Sequence, residues 1–248
     1  MKVLFLITAR GGSKGIPGKN LLALGGVSLI GYKAISAKRC DDCARLILSS
    51  EDPAIQAEAR KFGVDVPFTR PAELATDEAT TEAVIWHAMQ QIETQTQETY
   101  DAIMVLEPTS PFATHHDYAA AIRLMERTNA STVVGVREVA VRSLFQGPMD
   151  VQGRMPEVVT RLAIHAQLAR QAFAPEFTMN GAFYLLRWES FRMSRKRYHD
   201  PASTYGLVME RERSIEIDEP VDWAFAQFLV ERGYVDISYW TNEEAVVR

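Results

Sequence analysis

Between residues 3 and 136, short apolar runs alternate with longer stretches of helical period. That alternation restricts the fold more than any other feature of the chain. Residues 3–7 form a continuous apolar run ending near glycines, the pattern of a strand buried on both faces. Residues 29–38 follow as a helix, with Leu29, Ile30, Ala34 and Ala37 at helical spacing. A second strand is predicted at 46–48. Pro53 then opens a helix that runs to about Phe62, where Gly63 stops it. Residues 64–68 read as a strand, 78–92 as a helix, 102–106 as a strand, 116–127 as a helix and 131–136 as a strand. Two more strands are predicted at 181–186 and 214–218. The helix at 220–231 places Val221, Ala224, Phe225, Phe228 and Leu229 on one face. The expected class is α/β: a Rossmann-like three-layer sandwich around a mostly parallel sheet. Ligands on such sheets bind beyond the carboxyl ends of the strands, here the loops after Ile7, Leu48 and Leu106.

Residues 137–177 break the alternation, with Gly147, Pro148, Gly153, Pro156 and Pro175 and little period. They are expected to form an inserted arm that makes contacts outside the sheet, within a single domain spanning 1–248. The net charge of −5 argues against nucleic-acid binding by the whole surface, so function depends on where the cations converge. No apolar run reaches the roughly 20 residues of a membrane span. Arg10 and glycines follow the first apolar run at once, unlike a signal peptide. Cys40 and Cys43 are spaced C-x-x-C, but there is no second pair to complete a metal site. They read as reduced structural thiols of a cytoplasmic protein.

Residues 8–20 carry the chemistry. Gly11, Gly12, Gly15 and Gly18 are interleaved with Arg10, Lys14 and Lys19 immediately after a buried strand. Glycines let backbone N–H groups turn toward a ligand, and the cations add charge-assisted bonds to phosphate oxygens. The segment is not a Walker A loop: aligned on Gly18-Lys19, that pattern puts Ser13 at its first glycine and Asn20 at its Ser/Thr.

This loop, ARGGSKGIPGKN at 9–20, resembles the N-terminal signature of the acylneuraminate cytidylyltransferases, the CMP-nonulosonate synthetase family. RPAELA at 70–75, PTSP at 108–111, NGA at 180–182 and SIEID at 214–218 resemble later motifs of that family in the same order. The resemblance implies CTP and an acidic sugar as substrates, release of pyrophosphate, Mg2+ as co-reactant and a homodimer built through the inserted arm. It further implies that Arg10 and Lys19 contact the triphosphate and reacting phosphate. Gly11, Gly12, Ser13 and Lys14 would hold the remaining phosphates, and Asn20 and Arg70 would lie at the nucleotide. Thr80 and Thr81 open a helix, where a hydroxyl either caps it or touches the nucleotide.

Glu216 and Asp218 are two apart on the predicted strand, so alternation puts both carboxylates on one face, a pair suited to magnesium. The family's usual pair is Asp and Asp, which makes Asp218 the safer ligand. Glu107 stands where relatives commonly carry Gln near the sugar; it either accepts bonds from the sugar or favours the following turn. Arg170, Gln171 and Asn180 are the remaining candidates for the sugar. Asn180 either orients substrate or ends a turn. Thr178-Met179 stands where many relatives have Arg-Pro, an arginine suited to a sugar carboxylate. Arg142, Arg161 and Arg170 are the available replacements. The five histidines form no metal pattern and receive no role. Two other readings stay open: transfer to a sugar phosphate or phosphonate, and a non-catalytic nucleotide-binding protein.

Overall fold

The computed structural model describes residues 1–139, 143–164 and 174–242. In chain order the elements are β1 (Val3–Thr8), β2 (Ala23–Leu24), β3 (Val27–Ser28), α1 (Leu29–Lys38), β4 (Cys43–Ser49) and α2 (Pro53–Lys61). Then come α3 (Thr81–Thr96), β5 (Ala102–Leu106), α4 (His115–Thr128), β6 (Thr132–Glu138) and α5 (Pro156–Ile164). The chain continues with β7 (Phe177–Arg187), α6 (Trp188–Ser194), β8 (Thr204–Val208), α7 (Pro220–Glu231) and α8 (Ser238–Thr241). Among the described residues six strands form one sheet in the order β4-β1-β5-β7-β6-β8. Only β7 runs against the others, pairing antiparallel with β5 and β6.

The layers follow from the pleat. Val3, Phe5 and Ile7 point to one face and pack with Ala34, Ala37, Ile55 and Tyr118 of α1, α2 and α4. Leu4 and Leu6 point to the other and pack with Ile85, Met89, Trp188 and Phe191 of α3 and α6. Both faces are covered, which is why β1 is a continuous apolar run rather than an alternating one. The helix starts are set by side chains. Ser28 Oγ accepts from Gly31 N at 3.1 Å, and Asp52 Oδ1 accepts from Ala54 N at 2.7 Å ahead of Pro53.

Several expectations are corrected. Residues 64–68 make only a single bridge, Asp65 with Ile47, because Pro67 has no N–H to extend a ladder. Residues 214–218 lie outside the sheet: their neighbour is the loop after β5, and one backbone bond, Ile217 N to Thr109 O at 2.8 Å, ties them there. The edge strand β8 is an addition to the expected set; it is mostly exposed and shows no alternation. The ends of the arm belong to the sheet, since Arg137 pairs with Thr178 and Glu138 with Phe177. On α7 the buried residues are Ala226 and Leu229, while Phe225 and Phe228 remain 50% and 44% exposed. That helix is apolar nearly all round, so its period could not select the packed side. Among the described residues no helix is long and apolar enough to cross a membrane.

Candidate active site

A cleft of about 560 Å³ opens at the carboxyl ends of β1 and β5. Arg10, Ser13, Lys14, Lys19, Asn20 and Arg70 line one part of it, and Thr81, Glu107, Glu216 and Asp218 the rest. The loop after β1 is shaped by its own bonds. Buried Asn20 donates from Nδ2 to Arg10 O at 3.0 Å, which ties the two ends of the loop together. A Cβ at Gly15 would overlap the Asp218 carbonyl oxygen, so glycine there lets the loop lie against residues 217–219. Lys19 sits in a short 3-10 turn behind Gly18. Its Nζ donates to Asp218 Oδ1 at 2.7 Å and to Ile217 O at 3.1 Å.

The other two loop cations converge on a residue that the sequence does not single out. Arg10 Nη2 lies 2.7 Å from Asp77 Oδ1, and Lys14 Nζ lies 2.5 Å from Asp77 Oδ2. Lys14 first and Arg10 second hold the Asp77 carboxyl below its ordinary range. Two cations on one carboxylate are arranged as they would be on phosphate oxygens. Arg70 is buried, and its guanidinium donates to Ser49 Oγ at 3.0 Å and Ser49 O at 2.6 Å. Burial pulls its pKa down to about 10, still fully cationic near neutrality. The threonine pair divides its labour: Thr80 caps α3, accepting from Ala83 N at 3.2 Å, and Thr81 faces the cleft.

Four carboxylate residues, Glu107, Glu216, Asp218 and Glu219, line the opposite side. Burial first, and then the charge of Glu216, push the Glu107 carboxyl up to about 7. Beneath it Lys33, fully buried in α1, donates from Nζ to Ala182 O at 2.8 Å. Burial brings Lys33 down to about 7, against the attraction of Glu107. A lysine inside an otherwise apolar helical run is the one available sequence signal for this pair. Glu216 is raised by desolvation of its carboxyl and then by Asp218. Gly181, at φ +65°, stands so close to Glu216 that a Cβ there would lie 3.1 Å from Glu216 Oε1. Ile217 is buried between Glu216 and Asp218, so the expected same-side placement survives without a strand. Among the described residues no group of three or more metal-ligating side chains is preassembled. Two carboxylates of one segment, mutually repelling and open to the cleft, nevertheless suit magnesium, which takes few protein oxygens and fills its shell with phosphate and water.

The raised Glu107 pKa has a consequence for stability. Between about pH 4.5 and 7 the folded protein holds a proton at Glu107 that the unfolded chain has lost. Stability from this group is therefore greatest below the unfolded value and declines as pH rises through 7. Glu107→Gln is expected to stabilise the fold at pH 8, by at most about 3 kcal/mol, and to have little effect at pH 4.5. Urea unfolding at both pH values checks this; an equal gain at both would remove the titration as its cause.

Not every candidate meets in the cleft. Gly11 instead faces the segment after β4: its N–H donates to Glu51 Oε1 at 2.7 Å, and a Cβ there would overlap Asp52 Oδ2. Gly12 is not among the lining residues. Asn180 is buried below the cleft, where Nδ2 donates to Ser214 Oγ at 2.9 Å and Oδ1 accepts from Ala182 N at 3.1 Å. Arg161 is tied into the arm by a bond to Gln146 O. Arg142, Arg170 and Gln171 lie outside the described residues. Burial raises the pKa of both Cys40 and Cys43, opposite to the shift a reactive thiolate needs.

A parallel-rich sheet with a cationic glycine loop after its first strand, faced by carboxylates, defines a nucleotide-processing α/β protein. The profile of the Cytidylyltransferase family matches residues 4–152, so the chain belongs to that family and is a nucleotidyltransferase. It is 28% identical over 249 residues to a CMP-N,N'-diacetyllegionaminic acid synthase of Legionella pneumophila, covering 100% of both chains. It is 27% identical over 226 residues to an N-acylneuraminate cytidylyltransferase of Escherichia coli, covering 91% of this chain and 51% of that protein. Among solved structures, a CMP:2-keto-3-deoxy-manno-octonic acid synthetase complexed with CTP shares the fold. Its TM-score is 0.67 at 15% identity, over 94% of this chain and 100% of that one.

Proposed function

We propose that this enzyme transfers the cytidylyl group of CTP to a hydroxyl of an acidic nonulosonic sugar and releases pyrophosphate. The observation that carries the reading is the meeting of Lys19 with Asp218 at 2.7 Å, where the cationic loop touches the carboxylate segment. Phosphoryl chemistry requires that juxtaposition: cations to hold the triphosphate, and carboxylates to hold a metal at the reacting phosphate. The names of the legionaminic and neuraminic relatives support the acceptor class.

In this reading Arg10 and Lys14 leave Asp77 for phosphate oxygens, and Lys19 stabilises charge on the α-phosphoryl group as the sugar hydroxyl attacks. Arg70, held rigidly by Ser49, adds a fixed positive charge behind the loop. Asp218, with Glu216, would hold magnesium, which supplies charge neutralisation to the departing pyrophosphate. Free thiols suit a cytoplasmic enzyme. The arm would pair two copies: Val151, Val159 and Ile164 are more than half exposed on it, a poor arrangement for an isolated surface.

The test is pyrophosphate release with magnesium and CTP against sialic, legionaminic and pseudaminic acids, 2-keto-3-deoxy-octonic acid and sugar phosphates. Release with a nonulosonic acid is expected. Release only with a phosphorylated acceptor would overturn the acceptor class.

A further inference from the structure

A second cavity, of about 590 Å³, adjoins the first and shares Glu216 with it. Its far end is built on the β6–β7 ladder, where Arg137 stands directly opposite Thr178. Directly opposed residues project from the same face of a sheet, so the arginine and the threonine enter the cavity together. Arg211 joins them from the segment after β8. Thr178 is three residues before Gly181, the residue packed on Glu216. At 3.3 Å per residue, about 10 Å separate this end from the carboxylates, the reach of one extended sugar acid.

The charges in the two cavities differ in one respect. Around the first, Arg10 and Lys14 are held by Asp77, Lys19 by Asp218 and Arg70 by Ser49. Among the described residues, Arg137 and Arg211 have no hydrogen-bond or ion-pair partner for their guanidinium groups, although Arg137 is half-buried. Holding an arginine partly out of water without a partner costs free energy that a bound anion recovers. Acidic groups nearby are otherwise placed. Asp222 Oδ2 accepts from Asp218 N at 3.0 Å and Glu219 N at 2.8 Å, Glu212 is exposed, and Glu216 faces the junction with the first cleft. Asn180 and Ser214 also line the cavity, and one wall of it is aromatic, made by Phe225, Phe228 and Tyr234, whose rings stack in series.

A cavity with a free arginine fork at one end, an aromatic wall and a mouth on the reacting centre fits an anionic, acyl-bearing acceptor. We propose that Arg137, assisted by Arg211, grips the carboxylate of the acceptor sugar, while the α7 aromatics cover its acyl-bearing edge. A guanidinium matches a carboxylate with two parallel bonds, which fixes the orientation of the sugar as well as its affinity. The inference rests on the acceptor class proposed above.

The test uses the full chain with magnesium, CTP and either N-acetylneuraminic acid or N,N'-diacetyllegionaminic acid, whichever the wild type turns over. Arg137→Gln is expected to raise the acceptor KM about tenfold to a hundredfold and leave the CTP KM unchanged. Arg211→Gln, on an exposed segment and safe for folding, should raise it in the same direction. Adding Thr178→Arg to Arg137→Gln should recover acceptor affinity, because the facing position returns a guanidinium to the same end. An unchanged acceptor KM in both single variants overturns the proposal, as does a parallel loss of CTP affinity. Failure of the wild type to use any nonulosonic acid defeats the acceptor class instead, so the two failures are distinguishable.

Discussion

Lys19→Ala is expected to lower kcat for pyrophosphate release by about a hundredfold to a thousandfold, the scale on which a single preorganised donor at a developing charge acts. The fold should survive. Among the described residues the Lys19 ammonium bonds only to the Ile217 carbonyl and to Asp218, which is 59% exposed, and water can replace it at both. With the Asp218 end of the pair open to solvent, screening keeps its contribution to stability small, although the Lys19 side chain itself is only 14% exposed. The thermal transition should therefore stay close to wild type while turnover collapses. Unaltered turnover in the variant would show that the cradle is misassigned. The KM for CTP should change less than kcat if Lys19 acts mainly on charge that builds in the transition state.

Asp218→Asn is expected to shift the magnesium activation curve to about tenfold higher concentration, since an amide oxygen carries no net charge to hold a hard cation. The same substitution frees Lys19 from its ion pair, so loss of rate at saturating magnesium reads the lysine and the shift of the midpoint reads the metal. Glu216 offers an internal check. Its carboxyl is raised by desolvation and then by Asp218, so it should titrate lower in the variant. An unchanged magnesium curve would remove Asp218 from the metal site. If Glu216 is the stronger ligand, Glu216→Gln will shift the curve further than Asp218→Asn does.

Much of this site is legible in the amino-acid sequence. Lys19, Asn20, Arg70, Glu107, Glu216 and Asp218 come from well-separated motifs, and all of them line one cleft. The glycine loop is legible because a buried strand must end somewhere, and cations placed just beyond it have few other uses. Asp77 is not legible. It sits among polar residues at 76–82 that read as an ordinary helix start, and only the loop folding back shows that it holds Arg10 and Lys14. Arg137 is equally silent, because a half-buried charge at the end of a strand is no signal until the residue across the ladder is known. The surroundings of Gly11 and Asn180 are hidden in the sequence for a related reason. Packing turns Gly11 toward Glu51 and ties Asn180, which lines the second cavity, to Ser214 and Ala182.

By itself the sequence determined the α/β alternation, the buried strand β1, the helix starts at Pro53 and Thr80 and the presence of a glycine-rich cationic loop after that strand. These depend on neighbours a few residues away, through side-chain period, backbone freedom and hydrogen-bonding caps. Tertiary structure alone decided that β7 runs antiparallel, that 214–218 leaves the sheet and that Phe225 and Phe228 face a cavity. It also decided which cation meets which carboxylate. Those outcomes join distant residues; Lys19 and Asp218, which share a bond, are 199 positions apart. Charge and contact act through space, and separation along the chain carries no record of it.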